Sequence, residues 1–261
     1  MVKLEKGSHA ALYRLYRAND FFFPLIATVL LDEQNGAVFV NDVNRPAQVY
    51  VEHAFGFAQI FGKRVEKFEE ELERYLFIDK LFSPDKVRLY APYLPGFLAS
   101  SVHESLRSYR QRFHMTAESF SRRSQTHFKT LKDSRLGGVD AANVEWIESK
   151  FGMVRRFWRT PDDFIKKANA MVVFYKGTPA SICYSAAEAD HCAEIDVLTL
   201  PEHRKIGFAK QAVIGFINRC FSLSLRPLWD CFTNNAGSMS ICKSVGFTAV
   251  REPYPFFTIN K

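Results

Sequence analysis

The stretch that decides the fold is "LPEHRKIGFAKQAVIGF", Leu200 to Phe216. His203, Arg204 and Lys205 crowd a short loop just before Gly207. The apolar residues Ala209, Ala212, Val213, Phe216, Ile217 and Cys220 then follow at i, i+3, i+4, i+7, i+8 and i+11. That spacing predicts one buried helix face. Such a helix opens with N–H groups that find no partner inside it, at the positive end of its dipole. Gly207 removes the side chain that would block a ligand, Ala209 stays small, and Arg204 and Lys205 add positive charge. The stretch reads either as a wet surface turn or as an anion cradle suited to a pyrophosphate. It is not a Walker loop and not a dinucleotide fingerprint, because the glycine spacing of each is missing.

Outward from this stretch, strands and helices alternate. "CAEIDVLTL" precedes it as a strand, and "LWDCF" follows the helix as another. "AGSMSICKSV" reads as a helix, and "GFTAV" starts a final strand pair that includes "FFTIN". Upstream, "MVVFYKGTPASICYSAAE" reads as a strand, a Lys176-Gly177 turn and a strand. Phe164–Ala168 is helical, begun by Pro161 with Asp162 and Asp163 in its first turn. This alternation predicts an α/β domain with a mixed sheet over residues 139–261.

Residues 1–115 predict a separate N-terminal α/β domain. Ala37–Val40 and Gln48–Glu52 are strands around a turn at Asn44-Arg45-Pro46. "VEKFEEELERYLF" carries Val65, Phe68, Leu72, Tyr75 and Leu76 at helix spacing, and "KVRLYAP" is a strand closed by Pro92. The polar run from Met115 to Gly138 ends in two glycines and is taken as the connection, residues 116–138. No short-period repeat relates the halves.

The stretch and its flanks resemble the GNAT superfamily of acyl-CoA-dependent N-acyltransferases. "RKIGFA" fits that family's R/Q-x-x-G-x-G/A pattern, and "AEIDVLTL" resembles the strand that pairs with the pantetheine arm. "WDCFTNNAGSMSICKSVGF" resembles the family's strand–Asn–helix–Gly-Phe block. More narrowly, "RPLWDC" and "TPDDFIKKA" are similar to the subfamily that includes the zwittermicin-resistance acetyltransferase. The match spans about Thr160 to Phe257. It implies a splayed central sheet flanked by helices, with the N-terminal domain as a degenerate half of the same kind that covers or shapes the acceptor site.

The resemblance also implies site residues. Val197, Leu198 and Thr199 would hydrogen-bond the pantetheine amides as an added strand does. The backbone from Arg204 through Lys205, Ile206, Gly207, Phe208, Ala209 and Lys210 would cradle the pyrophosphate. Asn235 and Ser238 would contact CoA or the loop that holds it. The family's proton-donor tyrosine is replaced here by Cys242. Cys242 either donates a proton to the departing thiolate or is a small buried helix residue. Tyr254 or Tyr184 would otherwise supply the acid, or none is needed. Glu194, then Asp196, is expected as the base. They lie two apart on one strand and so share a face. His191 and His203 are alternatives, although His203 sits on the cofactor side and reads as a loop residue.

Four further features have two readings each or a plain structural one. Trp229 reads as core. Asp230 either anchors the neighbouring strand or binds substrate. The "FFFP" run at Phe21–Pro24 reads as domain-interface core rather than a pocket lining. Arg107, Arg110, Arg112, Arg122 and Arg123 read as a solvated basic face.

Composition narrows the class. Hydrophobic residues make up 47% of the 261, which supports a buried core. The net charge of +7 suits polyanions, yet no run of like charges forms a nucleic-acid arm, and nucleic acid is not expected as a partner. Five cysteines with no C-x-x-C pair argue against a disulfide framework and against a zinc site, so no metal is expected. The start "MVKLEKGSHA" lacks an apolar signal core and no window reads as a membrane span, so a cytoplasmic location is expected. The expected activity is N-acetylation of a small-molecule primary amine by acetyl-CoA in a ternary complex. The alternative is a non-catalytic acyl-CoA-binding regulator or scaffold. No oligomeric state follows from the sequence.

Overall fold

Alternating apolar residues on either side of a polar turn pair as a hairpin in the computed structural model, which describes residues 1–120 and 131–261. The chain folds as two units, Met1–Arg110 with Pro253–Lys261, and Gln111–Glu252.

The first unit starts with β1 (Val2–Lys3), α1 (Ala10–Arg17) and α2 (Pro24–Leu30). Pro24 sits in the first turn of α2, where its missing N–H removes nothing, and all seven residues of α2 are buried. Strands β2 (Gly36–Val40), β3 (Gln48–His53) and β4 (Phe57–Gly62) follow, each antiparallel to the one before, with β1 on the outer edge of β2. Asp42 fixes the turn between β2 and β3 by accepting from the Asn44 and Arg45 amides. Helix α3 (Glu66–Glu73) runs on into a π-helical turn at Arg74–Ile78. Its face buries Phe68, Leu72 and Leu76 against Leu89 and Phe257 of the sheet. Burial of each such side chain contributes about 1.5–3 kcal/mol. The chain then returns as β5 (Lys86–Tyr90), parallel to β4, and leaves through β6 (Arg107–His114).

The second unit takes up the end of β6. Strand β7 (Ser134–Gly138), helices α4 (Val144–Phe151), α5 (Val154–Phe157) and α6 (Pro161–Lys167), and strands β8 (Met171–Tyr175), β9 (Thr178–Ala189) and β10 (Cys192–Thr199) come next. Strands β7 to β10 form an antiparallel run. Thr160 caps α6 by accepting from the Asp163 amide. Helix α7 (Phe208–Ser222) then crosses over to β11 (Arg226–Phe232), parallel to β10. Its inner face buries Phe208, Ala212, Val213, Phe216, Ile217 and Cys220 in the core of this unit. Helix α8 (Ala236–Val245) and the short β12 (Thr248–Ala249), antiparallel to β6, complete the unit. The last strand, β13 (Tyr254–Asn260), belongs to the first unit, between β5 and β6.

Each unit therefore has a four-strand antiparallel run, a crossover helix and a parallel strand. The shared order left no visible repeat because burial constrains residue class and not identity.

Four expectations change. The final strand pair does not form: β12 bonds to β6, whereas β13 bonds to β5 and β6. A strand pairs with whichever edge the fold presents, which its own seven residues do not encode. The expected boundaries at 115 and 138 and the two units differ for the same reason, since residues from 253 on fold with the first half. The expected connection contains β7, whose Gly137-Gly138 end pairs with Val172 and Met171. The basic face is not solvated at β6, where Arg110 and Arg112 are both buried. Arg122 and Arg123 lie outside the described residues.

Candidate active site

Strands β10 and β11 pair only at their beginnings. The parallel register runs Cys192↔Arg226, Ala193↔Pro227 and Glu194↔Leu228, then stops. Strand β10 continues to Thr199 and β11 to Phe232. The register between β9 and β10 shifts at the same step, between Glu194 and Ile195. A bulge strengthens local twist and bends a strand, so the fork opens where the bulge lies. Beyond it, β10 keeps β9 on one side. The Leu200 amide donates to the Ala180 carbonyl, so strand alternation aims the backbone of Leu198 at β9. The backbone groups of Val197 and Thr199 then point to the open side of the fork.

Helix α7 begins at the end of this loop. Gly207 holds its N-cap position with φ of 107°, and Lys205 is also left-handed at 62°. A Cβ added at Gly207 would already touch the Leu131 side chain at 3.4 Å. By helix geometry the Phe208 and Ala209 amides have no acceptor within the helix. Arg204 and Lys205 lie in the exposed loop, and Arg204 Nε leans on the Thr199 carbonyl at 3.4 Å. His203 packs edge-on against Tyr175 and Phe208, as a loop side chain.

The second motif forms the other wall. Asn235 caps α8 by accepting from the Ser238 amide at 3.0 Å. Ser238 Oγ in turn accepts from Trp229 Nε1 at 3.0 Å. Trp229 is a core residue, as read from the sequence. Cys242 is fully buried on the core face of α8, and burial pushes its thiol well above the usual range. Tyr254 lies in the first unit, among the rings of Phe21, Phe23 and Tyr90. Phe23 itself is core of that unit, stacked on Tyr90 at 4.0 Å.

Glu194 and Asp196 share the face of β10 that lies opposite α7, because Ala193, Ile195 and Val197 pack toward the helix. Their surroundings differ. Glu194 Oε1 accepts from Arg112 Nη2 at 2.9 Å, and Asp230 Oδ2 accepts from Arg112 Nε at 3.3 Å. Strands β6, β10 and β11 thus meet at one buried guanidinium. Asp196 Oδ2 accepts from Tyr184 Oη at 2.6 Å and lies 3.7 Å from Arg156 Nη1. The Asp196 side chain is 28% exposed, against 5% for Glu194. Burial and the charge of Asp196 push the Tyr184 phenol well above its usual value, so it is a neutral donor.

Sequence reasoning missed Arg112 and Arg156. Nothing local marks either one, since each gains its role from a strand distant in the chain. A pocket of about 480 Å³ lies elsewhere in the unit, lined by Leu136, Met171 and Arg219 among others. It sits near the end of α7 opposite Gly207, about 20 Å along the helix. Among the described residues, no group of His, Cys, Asp or Glu could hold a metal ion. No described helix is long and apolar enough to cross a membrane.

Known proteins match this arrangement. The family model for GNAT acetyltransferase matches residues 23–257. A Bacillus subtilis (strain 168) protein described as the uncharacterized N-acetyltransferase YdfB is 22% identical over 258 residues, covering 96% of this chain and 95% of that protein. The crystal structure of a GCN5-related N-acetyltransferase-like protein from Streptococcus suis 89/1591 aligns with a TM-score of 0.71 at 16% identity, covering 97% of this chain and 98% of that one. A tandem GNAT protein from the clavulanic acid biosynthesis pathway aligns with a TM-score of 0.64 at 9% identity, covering 99% and 97%. The fork, the glycine-capped helix and the Asn-capped helix stand in the order that the sequence resemblance implied, and the family model spans them all. The chain belongs to the GNAT acetyltransferase family and is an acyltransferase.

Proposed function

We propose that this protein transfers the acetyl group of acetyl-CoA to a primary amine of a small molecule, by direct attack within a ternary complex. The observation that carries the reading is the fork between β10 and β11, with the start of α7 at the end of its longer arm. GNAT acetyltransferases use acetyl-CoA, and the residues present fit it. The open edge at Val197 and Thr199 offers the backbone groups that an extended amide chain needs. Gly207 adds no side chain of its own at the helix start, and Arg204 and Lys205 bring charge for a pyrophosphate. Asn235 and Ser238 hold the second wall through the α8 cap. Acetyl-CoA supplies the acyl group as a thioester, and the rest falls to this chain.

The attacking amine must shed a proton. A base has to come within hydrogen-bond reach of it, directly or through one water. The exposures of the two acids favour Asp196, which solvent and a substrate can reach. Glu194 is the buried partner of Arg112. No side-chain acid is assigned to the departing thiolate. Cys242 is taken up by packing and Tyr184 by Asp196. A thiolate is a good leaving group without one, and positioning supplies much of the rate.

The test has two arms. Acetyl-CoA at a hundredfold over its Kd should stabilise the protein by about 2.7 kcal/mol. A panel of primary amines should then release free thiol with at least one member. No thermal shift together with no saturable binding rejects the reading. Binding without thiol release across the panel would favour a non-catalytic holder of acyl-CoA.

A further inference from the structure

We infer that Arg112 is a positioning residue for acetyl transfer, setting the aperture of the fork between β10 and β11. This rests on the reading that transfer takes place at that fork. Arg112 stands on β6, the neighbour of β11 on the side away from β10. Its Nε reaches Asp230, on the part of β11 that no longer pairs with β10. Its Nη2 passes on to Glu194, on the last rung where the two strands still pair. One planar guanidinium therefore ties the apex of the fork to its diverging arm.

The geometry suits arginine and not lysine. Two donors of a rigid fork engage two carboxylates on two strands at once, whereas an ammonium is a point charge. All three side chains are at most 10% exposed, so water does not screen them as it would a surface pair. Nearby charged and titratable groups include Asp196 on β10 with Tyr184 from β9 and Arg156 from α5, and the Cys192 thiol, which feels the charges of Arg226, Asp190 and Arg112. None of these contacts links β6 to both arms. Direct backbone pairing between the two arms ends at Glu194↔Leu228, while each arm keeps its outer neighbour, β9 or β6. Across the opening itself, Arg112 touches both arms.

A misplacement of about 1 Å at a reacting centre can lower a rate about a hundredfold. The prediction is a split between kcat and cofactor binding. Arg112→Gln should lower kcat about a hundredfold while the Kd for CoA stays within about threefold, because the cradle at α7 is untouched. Arg112→Lys keeps the charge but engages one carboxylate at a time, and should restore about a tenth of the parent kcat. Removing the arginine alone leaves two buried carboxylates without it, and that variant can fail to fold. The triple variant Arg112→Gln, Glu194→Gln, Asp230→Asn buries no charge and provides the second protein for the test. It should fold, bind CoA and show the same loss of kcat. A folded triple variant or Arg112→Gln with kcat within about threefold of the parent, whatever its melting temperature, overturns the inference. So does a loss confined to CoA affinity. If the parent protein itself neither binds CoA nor releases thiol, the failure belongs to the proposed function and not to Arg112.

Discussion

Tyr184 Oη donates to Asp196 Oδ2 at 2.6 Å, across a register pair of β9 and β10. The tyrosine is fully buried and the aspartate is not, so the pair carries a carboxylate from the core to the open side of the sheet. The relation orients the acid without closing access to it. Asp196→Asn should lower kcat/KM by about 10²–10⁴, the range for a general base, with CoA affinity kept. Tyr184→Phe should cost about 1 kcal/mol of stability and a smaller part of the rate. Thiol-release kinetics beside a calorimetric CoA titration separate the two. An unchanged kcat/KM in Asp196→Asn would pass the role of base to another group.

Gly207 holds a φ of 107° at the start of α7, where an L side chain is strained. Gly207→Val should destabilise the protein by about 1–3 kcal/mol. It should also weaken CoA binding by at least about tenfold, since the added branch fills the mouth of the helix. The melting temperature and a binding isotherm read the two effects independently. Full CoA affinity in this variant would show that the cradle lies elsewhere.

Cys242 replaces the tyrosine that the family resemblance places at this position, and its thiol is held neutral by burial. All five cysteines are free and buried. Cys242→Ala should keep the parent kcat within about threefold and lose about 1 kcal/mol by leaving a small cavity. The native protein should react with a thiol reagent only as fast as it opens. A large fall in kcat, with a changed alkaline limb, would return Cys242 to the chemistry.

The first unit repeats the parallel pair without an open fork, since β5 ends at Tyr90, where its pairing with β4 also ends. The β4–β5 pairing ends at Gln59↔Tyr90, and Gln59 donates to the Phe21 carbonyl and accepts from Tyr16. At the start of α3, Glu69 accepts from the Gly96 amide, from Arg64 and from Gln48. A buried carboxylate in the first turn of this helix disfavours a phosphate there. Equilibrium titration should give one CoA per chain, and a stoichiometry of two would refute this account.

Burial of His53 makes it a contributor to acid sensitivity in that unit. Burial lowers its pKa from 6.5 to about 3. The neutral ring accepts from the Phe55 amide at Nδ1 and faces Gln34 Oε1 at Nε2. The folded value lies below the unfolded one, so its contribution is complete above pH about 6.5 and is lost as pH falls toward about 3. His53→Gln should flatten the fall in melting temperature over that window, with lower stability near neutral pH. An acid limb as steep as in the parent protein would place the titration in another group.

Much of this was open to a reader of the sequence. Period-3.6 spacing located α7, and the Pro161 start and the Gly246 stop bounded α6 and α8, because these signals act within a few residues. The bare position at Gly207 was open to that reading, whereas its left-handed φ came from the structure. The proposed cofactor half of the site, a strand edge and a helix start, is made of backbone, and local sequence shapes backbone. What the tertiary structure alone decided is longer-ranged. It set β13 beside β5, about 170 residues earlier in the chain. It turned Arg112 from an expected surface charge into the tie between Glu194 and Asp230, which lie on strands 82 and 118 residues further along. It separated two acids of one face into a buried partner and an accessible one. Burial and charge pairing are sums over neighbours brought together by the fold, and no window of sequence contains those neighbours.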